Sequence, residues 1–147
     1  MSEAKEYLMS IALLDAKIEV WASEKDALED RLLYITSTLS PDKGSGGGGT
    51  QDKMAGMIAR IADLEQQIDV TIIGYKDERN AALKMLNSMK NPVHMTILHR
   101  RYFLHQSLER IAADMGYTYR WVKSLHGRAL QDYQRIMKDC GMSKEAP

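Results

Sequence analysis

Arg120, Lys123 and Arg128 fall within one predicted helix near the C-terminus, in the stretch "SLERIAADMGYTYRWVKSLHGRAL" (Ser107 to Leu130). Guanidinium and ammonium groups in such an array donate hydrogen bonds to phosphate oxygens or to the acceptor edges of bases. Arg120 and Lys123 stand three apart, on a face opposite Val122 and Leu125 in the packing pattern. Arg128 lies farther along, where a helix leaving a groove nears the phosphate backbone. A solvated basic face over a small core is the alternative, and spacing alone leaves both open. Trp121 points either to a groove edge or back onto Tyr117 and Tyr102. His126 either meets a phosphate or flanks Leu125.

Catalytic and metal chemistry find no comparable set. His94, His99 and His105 are separated by five and six residues, which puts them on no common helix face. The single cysteine, Cys140, excludes an intramolecular disulfide and a cysteine-rich zinc site. The run "GSGGGG" before Thr50 lacks the Gly-Lys-Ser/Thr of a phosphate loop, so it reads as a linker. There is no nucleophile elbow and no carboxylate pair in a predicted cleft. The sequence therefore predicts no enzyme, no cofactor and no metal.

The basic helix needs a scaffold, and the residues before it supply one. Asn91-Pro92 restarts the chain, with Asn91 as N-cap and Pro92 at the first helical position. Val93, Ile97, Leu98 and Phe103 then pack inward, with Arg100 and Arg101 beside them. Ser107 caps the next helix and Gly116 ends it in the left-handed conformation. Thr118 caps the last helix, which runs to about Cys140-Gly141. Ala112 is small where two helices must cross, and Ile111, Met115, Val122 and Leu125 meet inside the corner. These positions match a helix-turn-helix whose second helix is available to the major groove.

This segment, preceded by "LHRRYFLHQ", resembles the fourth conserved region of bacterial sigma factors, where an Arg-Tyr-Phe helix precedes Glu-Ile-Ala, a glycine, Val-Lys and Arg-Ala-Leu. The sigma-like part covers roughly residues 93–135. The whole chain, through its "EYL…LD" opening, its long helices and "LHGRAL", is similar to small phage and prophage proteins of Gram-positive bacteria described as sigma-like late transcription regulators. Aligned on Val122 and Arg128-Ala129-Leu130, the positions that read the promoter −35 element fall on Tyr119, Arg120, Lys123 and Ser124. Sigma factors carry an acidic or basic residue where Tyr119 and Arg120 stand. The resemblance thus implies DNA contact but not the same target sequence.

Residues 1–90 read as two long helices. From Ala4 an apolar heptad runs through Tyr7, Ile11, Leu14, Ile18, Trp21, Lys25, Leu28, Leu32, Ile35 and Leu39. Lys25, its one polar entry, either snorkels at the seam's edge or selects register. Pro41 ends the helix, and residues 40–51 form a flexible link. After Asp52, a candidate N-cap, a second stripe runs Met54, Met57, Ile61, Leu64, Ile68, Ile72, Tyr75, Ala82, Leu86 and Met89, slipping phase after Ile68. Ile58, Ile73 and Leu83 lie off it, and a lone hairpin leaves them wet. The expectation is an antiparallel hairpin that associates into a homodimer or higher homo-oligomer.

Charge divides the chain in the same place. Residues 1–90 carry 11 basic and 15 acidic side chains, and residues 91–147 carry 9 and 5. Any polyanion belongs with the second half. The N-terminal residues "MSEAKEYLMSIALLDAK" lack the features of a signal peptide or a membrane span, so the expected compartment is the cytoplasm, that of the bacterial host if phage-encoded.

The fold expectation is all-α: a coiled-coil-like hairpin over 1–90, a sigma-like helix-turn-helix over 91–141 and a tail over 142–147. Function follows as a sequence-specific, double-stranded-DNA-binding transcription regulator, an activator of phage late genes, with host RNA polymerase as a further partner. Its contact residues are Tyr119, Arg120, Lys123, Ser124 and Arg128. A phage small terminase subunit also joins a helix-turn-helix to helical oligomerisation and is the competing reading. A third is an adaptor whose basic helix binds protein.

Overall fold

A computed structural model describes residues 2–38 and 48–141, with side chains from 51 onward in the second stretch. The protein is all-helical: α1 (Glu3–Thr38), α2 (Gly48–Asn87), α3 (Pro92–Leu98), a π-helical turn (His99–Phe103), α4 (Leu108–Met115) and α5 (Tyr119–Asp139). Among the described residues no helix is long and apolar enough to cross a membrane. The chain forms two compact units, one of residues 1–16 with 76–147 and one of residues 17–75. Packing thus groups the first turns of α1 and the last turns of α2 with the C-terminal helices, whereas the expected division follows chain order at 90/91.

In the unit of residues 17–75, Leu28, Ile35, Ile61 and Ile68 form a buried cluster, with Leu32, Met54, Ile58 and Ile72 packed against it. The expected α1 seam supplies its share, except that Trp21 is exposed. The expected α2 stripe needs correction. Met57 and Leu64 are 48% and 44% exposed, while Ile58 and Glu65 turn inward. Reading Met54, Ile58, Ile61, Glu65, Ile68, Ile72, Tyr75, Arg79, Ala82, Leu86 and Met89 gives an unbroken four–three alternation, so there is no phase slip. Apolar identity had drawn the stripe to Met57 and Leu64, one residue from the positions that geometry places inside.

Glu65 falls in a charged layer. Lys25 Nζ reaches Asp69 Oδ1 at 2.9 Å and Glu29 Oε1 at 3.8 Å. Its hydrogen bond and attraction to Asp69 raise its pKa. Loss of hydration, then a hydrogen bond to Glu29, raises that of Glu65. Lys25 therefore snorkels into an ion pair across the seam. Lys17 stands over the Tyr75 ring, 5.7 Å from its centroid.

α2 begins at Gly48, four residues before Asp52, so Asp52 is not its N-cap. Once a turn has nucleated, each added residue closes one bond, and Thr50 and Gln51 do not interrupt that extension. Residues 48–51 of the expected link are accordingly helical. Leu39, Pro41 and the rest of the link to residue 47, like the tail 142–147, lie outside the described residues.

The other unit is built around α5. Tyr133 is fully buried, and its hydroxyl donates to the Ala82 carbonyl at 3.0 Å. Its ring lies 6.3 Å from that of Tyr7. Burial, then the neighbouring Tyr7, pushes the Tyr133 phenol far above its usual pKa. Gln134 caps α1 from a distance: its Oε1 accepts from the Ala4 N–H at 2.7 Å, and its Nε2 donates to Glu3 at 3.2 Å. One orphan amide of the α1 N-terminus is thereby satisfied. Leu8, off the expected heptad, is completely buried, because the start of α1 meets residues of α5 as well.

Asn91 caps α3 as expected, its Oδ1 accepting from the Val93 and His94 amides at 3.0 and 3.3 Å. The next turn widens, the Leu104 N–H donating to the His99 carbonyl at 3.1 Å. This π-type turn brings both Tyr102 and Phe103 inward. Arg79 then lies over the Phe103 ring at 5.3 Å and donates to Asp15 Oδ1 at 2.7 Å. His105, with φ of 59°, sits 2.9 Å from the other oxygen of Asp15.

Candidate nucleic-acid interface

The corner between α4 and α5 forms by the caps the sequence provides. Ser107 Oγ accepts from the Arg110 amide at 3.1 Å, which starts α4. Gly116 ends it at φ 71° and ψ 28°. The Tyr117 N–H then donates to Ala112 O at 2.9 Å, and the Gly116 N–H to Ala113 O at 3.4 Å. This is the bonding of a Schellman cap. Thr118 Oγ1 accepts from the Trp121 amide at 3.1 Å and starts α5 without a pause. Ile97, Ile111, Ala112, Val122 and Leu125 form the core beneath, with Val93, Leu108 and Met115 against it.

That core fixes the rotation of α5. With Val122, Leu125, Ala129 and Tyr133 buried, the opposite stripe is Arg120, Ser124, Gly127 and Gln131, all exposed. Tyr119 and Lys123 flank it on one side and Arg128 on the other, also exposed. The five expected contact residues are therefore all exposed, with Tyr119 and Arg128, nine residues apart, on opposite flanks of the helix. No aspartate or glutamate occurs from Tyr119 to Gln131.

Ion pairs occupy several other arginines of the same unit. Arg79 is paired with Asp15, Arg100 and Arg110 with Asp114, and Arg135 with Asp132. Among the described residues, neither Arg120 nor Lys123 has an ion-pair partner. Arg128 stacks instead, its guanidinium carbon 5.4 Å from the Trp121 ring centroid. Such stacking occupies the guanidinium face and leaves its N–H edge available to an acceptor. Of the two orientations open to Trp121, outward or back onto Tyr117 and Tyr102, the ring takes the first: it is exposed and its partner is Arg128.

Tyr102 belongs to His126. The Tyr102 hydroxyl and His126 Nε2 are 2.9 Å apart, and the rings stack at 5.8 Å. Burial, then the charges of Arg101 and Lys5, lowers the His126 pKa from 6.5 to about 4. The imidazole is neutral near pH 7 and cannot meet a phosphate as a cation. Of the remaining histidines, His94 pairs with Asp132, His105 with Asp15, and His99 stacks on Phe103, so they go to separate partners.

A pH dependence follows from the His126 shift. Its folded pKa is below its unfolded value of 6.5, so folding favours the neutral ring. That contribution is whole above pH 6.5, shrinks as pH falls toward 4, and is lost below. Allowing for solvent screening of a part-exposed group, it amounts to about 2 kcal/mol or less. Urea midpoints of wild type and His126→Phe, followed from pH 7 to 4, should show a shallower acid decline in the variant. Parallel declines would contradict the assignment.

No protein-family model, no curated protein and no solved structure matches this chain. The candidate interface therefore rests on its own geometry. Two of its features escaped sequence reasoning. The Tyr102–His126 pair joins residues 24 apart through a π turn and carries no local signal. Gly127 does carry one: it continues the stripe of Arg120 and Ser124 in the four–three rhythm of an exposed helix face.

Proposed function

We propose that the chain is a sequence-specific, double-stranded-DNA-binding transcription regulator, in which α4 and α5 act as a helix-turn-helix and α5 enters the major groove. The observation that carries this reading is the acid-free outward surface of α5, where Arg120 and Lys123 are unpaired. Arg120 and Lys123, near the start of α5, are placed to reach base edges, with Tyr119 and Ser124 beside them. Arg128, braced by Trp121, contacts a phosphate. The sigma-like pattern adds late-gene activation in a phage-infected host cytoplasm, with RNA polymerase as a partner.

The long helices serve self-association in this reading. The pairs Lys17–Tyr75 and Lys25–Asp69 run in opposite order along α1 and α2, which supports an antiparallel hairpin. Val20, Leu33, Tyr34, Val70 and Ile73 remain exposed on that unit, apolar surface that a second copy would cover. A dimer fits a regulator of paired half-sites, whereas a many-membered ring in sedimentation would favour the packaging role of a small terminase subunit.

Substitution at two points of α5 tests the DNA reading. Arg120→Ala should cost about 1–3 kcal/mol on a duplex selected by the wild-type chain from a random pool, and relax preference at one base pair. Arg128→Ala should weaken selected and scrambled duplexes alike and reduce the salt slope by about one unit. Titrations at several salt concentrations distinguish the two effects. If both variants bind as wild type does, α5 does not read DNA.

A further inference from the structure

We infer that Gly127 marks the closest approach of α5 to bound DNA, a conclusion that rests on the DNA-binding reading above. Glycine is a poor choice for the middle of a helix, because its backbone loses the most freedom on ordering. Gly127 nevertheless lies well inside the 21-residue α5, away from either cap. The two left-handed glycines nearby, Gly116 and Gly141, have a conformational reason to be glycine, with φ of 71° and 73°. Gly127 has no positive φ, and a Cβ built on it meets no atom within 4 Å. Neither local conformation nor internal packing therefore requires glycine at this position; the same holds for Gly56 and Gly74 of α2, from which Gly127 differs in lying among the exposed cations of α5.

Its surroundings point outward. Gly127 sits between Ser124 and Gln131 on the outermost stripe of α5, flanked by Lys123 and Arg128. Small groups at 124 and 127 leave a shallow floor, and the long cations on either side form its walls. A groove wall or a phosphate strand seated on that floor lies against the helix backbone itself. Short reach matters here, because bidentate base contacts and phosphate hydrogen bonds lose most of their strength beyond ordinary hydrogen-bond distance. A methyl group at 127 would hold the helix off and loosen the contacts of Arg120 and Arg128 together.

The inference predicts opposite signs for folding and binding. In the full-length chain, Gly127→Ala should raise the Tm by about 3 °C, through the better helix propensity of alanine. The same variant should bind the selected duplex about tenfold more weakly, the scale of one misfitted base pair. Gly127→Leu should bind more weakly still, with circular dichroism confirming an intact helix. If Gly127→Ala binds as wild type while Arg120→Ala does not, the inference falls and the DNA reading stands. If neither variant changes binding, the DNA reading itself falls. A lower Tm for Gly127→Ala would show that the fold needs the glycine, and would equally overturn the inference.

Discussion

Tyr133→Ala should destabilise the unit formed by residues 1–16 and 76–147 by about 3–5 kcal/mol, the range for deleting a buried aromatic ring. Tyr133 is the largest fully buried side chain among the described residues. Its ring faces Tyr7 of α1 and its hydroxyl bonds the Ala82 carbonyl of α2, so three helices lose a common contact. Neighbours on three rigid helices collapse only partly into the space, and the residual cavity adds to the lost burial. Tyr133→Phe separates the two contributions. It keeps the ring and removes one hydrogen bond, whose loss should cost about 1 kcal/mol. Urea unfolding of the full chain, followed by circular dichroism, measures both. A Tyr133→Ala variant within 1 kcal/mol of wild type would show that Tyr133 is not the hub of this core.

How much of this was legible in the sequence depends on how local the determining forces are. Asn91, Ser107, Gly116 and Thr118 act within three residues of themselves, and each sits at the cap its type predicts. The corner core of Ile111, Ala112, Val122 and Leu125 was readable for the same reason. The α2 seam was misread because two inward positions, Glu65 and Arg79, are charged and the pattern was sought among apolar residues. A charge can occupy an inward position when a partner is at hand: Lys25 attracts Glu65, and Asp15 receives Arg79. Those partners lie on another helix and cannot be seen along the chain.

The same distance rule applies at the interface. The choice of Tyr119, Arg120, Lys123 and Ser124 rests on the resemblance to sigma factors and that of Arg128 on its place along the helix; helix geometry accounts for their exposure. The bracing of Arg128 by Trp121 spans seven residues and depends on rotamers, which helix spacing does not determine. His126 presents the strongest case. From spacing it flanks the basic surface, yet burial against Tyr102 and the nearby charges of Arg101 and Lys5 remove its own charge. A residue type that titrates near neutrality takes its role from surroundings rather than from position.

Substitutions at the α4–α5 corner should abolish DNA binding without touching any residue on the outward surface of α5. Gly116 adopts φ 71°, and the space where a Cβ would stand is open, so the penalty for a side chain there is purely one of backbone conformation. Gly116→Val, β-branched and left-handed, should cost about 2 kcal/mol or more. Gly116→Asn, which tolerates the same conformation, should cost clearly less. Ala112 differs in kind. It is buried among Ile97, Ile111, Val122 and Leu125, so Ala112→Leu overpacks a filled core and should cost about 1–3 kcal/mol. The double variant Ala112→Leu/Gly116→Val tilts α5 away from α4 or unfolds the corner, and Arg120 and Lys123 no longer face one groove. Thermal melts and duplex titrations of these variants should rank in the same order, with Gly116→Asn nearest wild type. Should Gly116→Val melt and bind as Gly116→Asn does, the corner does not depend on a left-handed residue, and the orientation of α5 is set elsewhere.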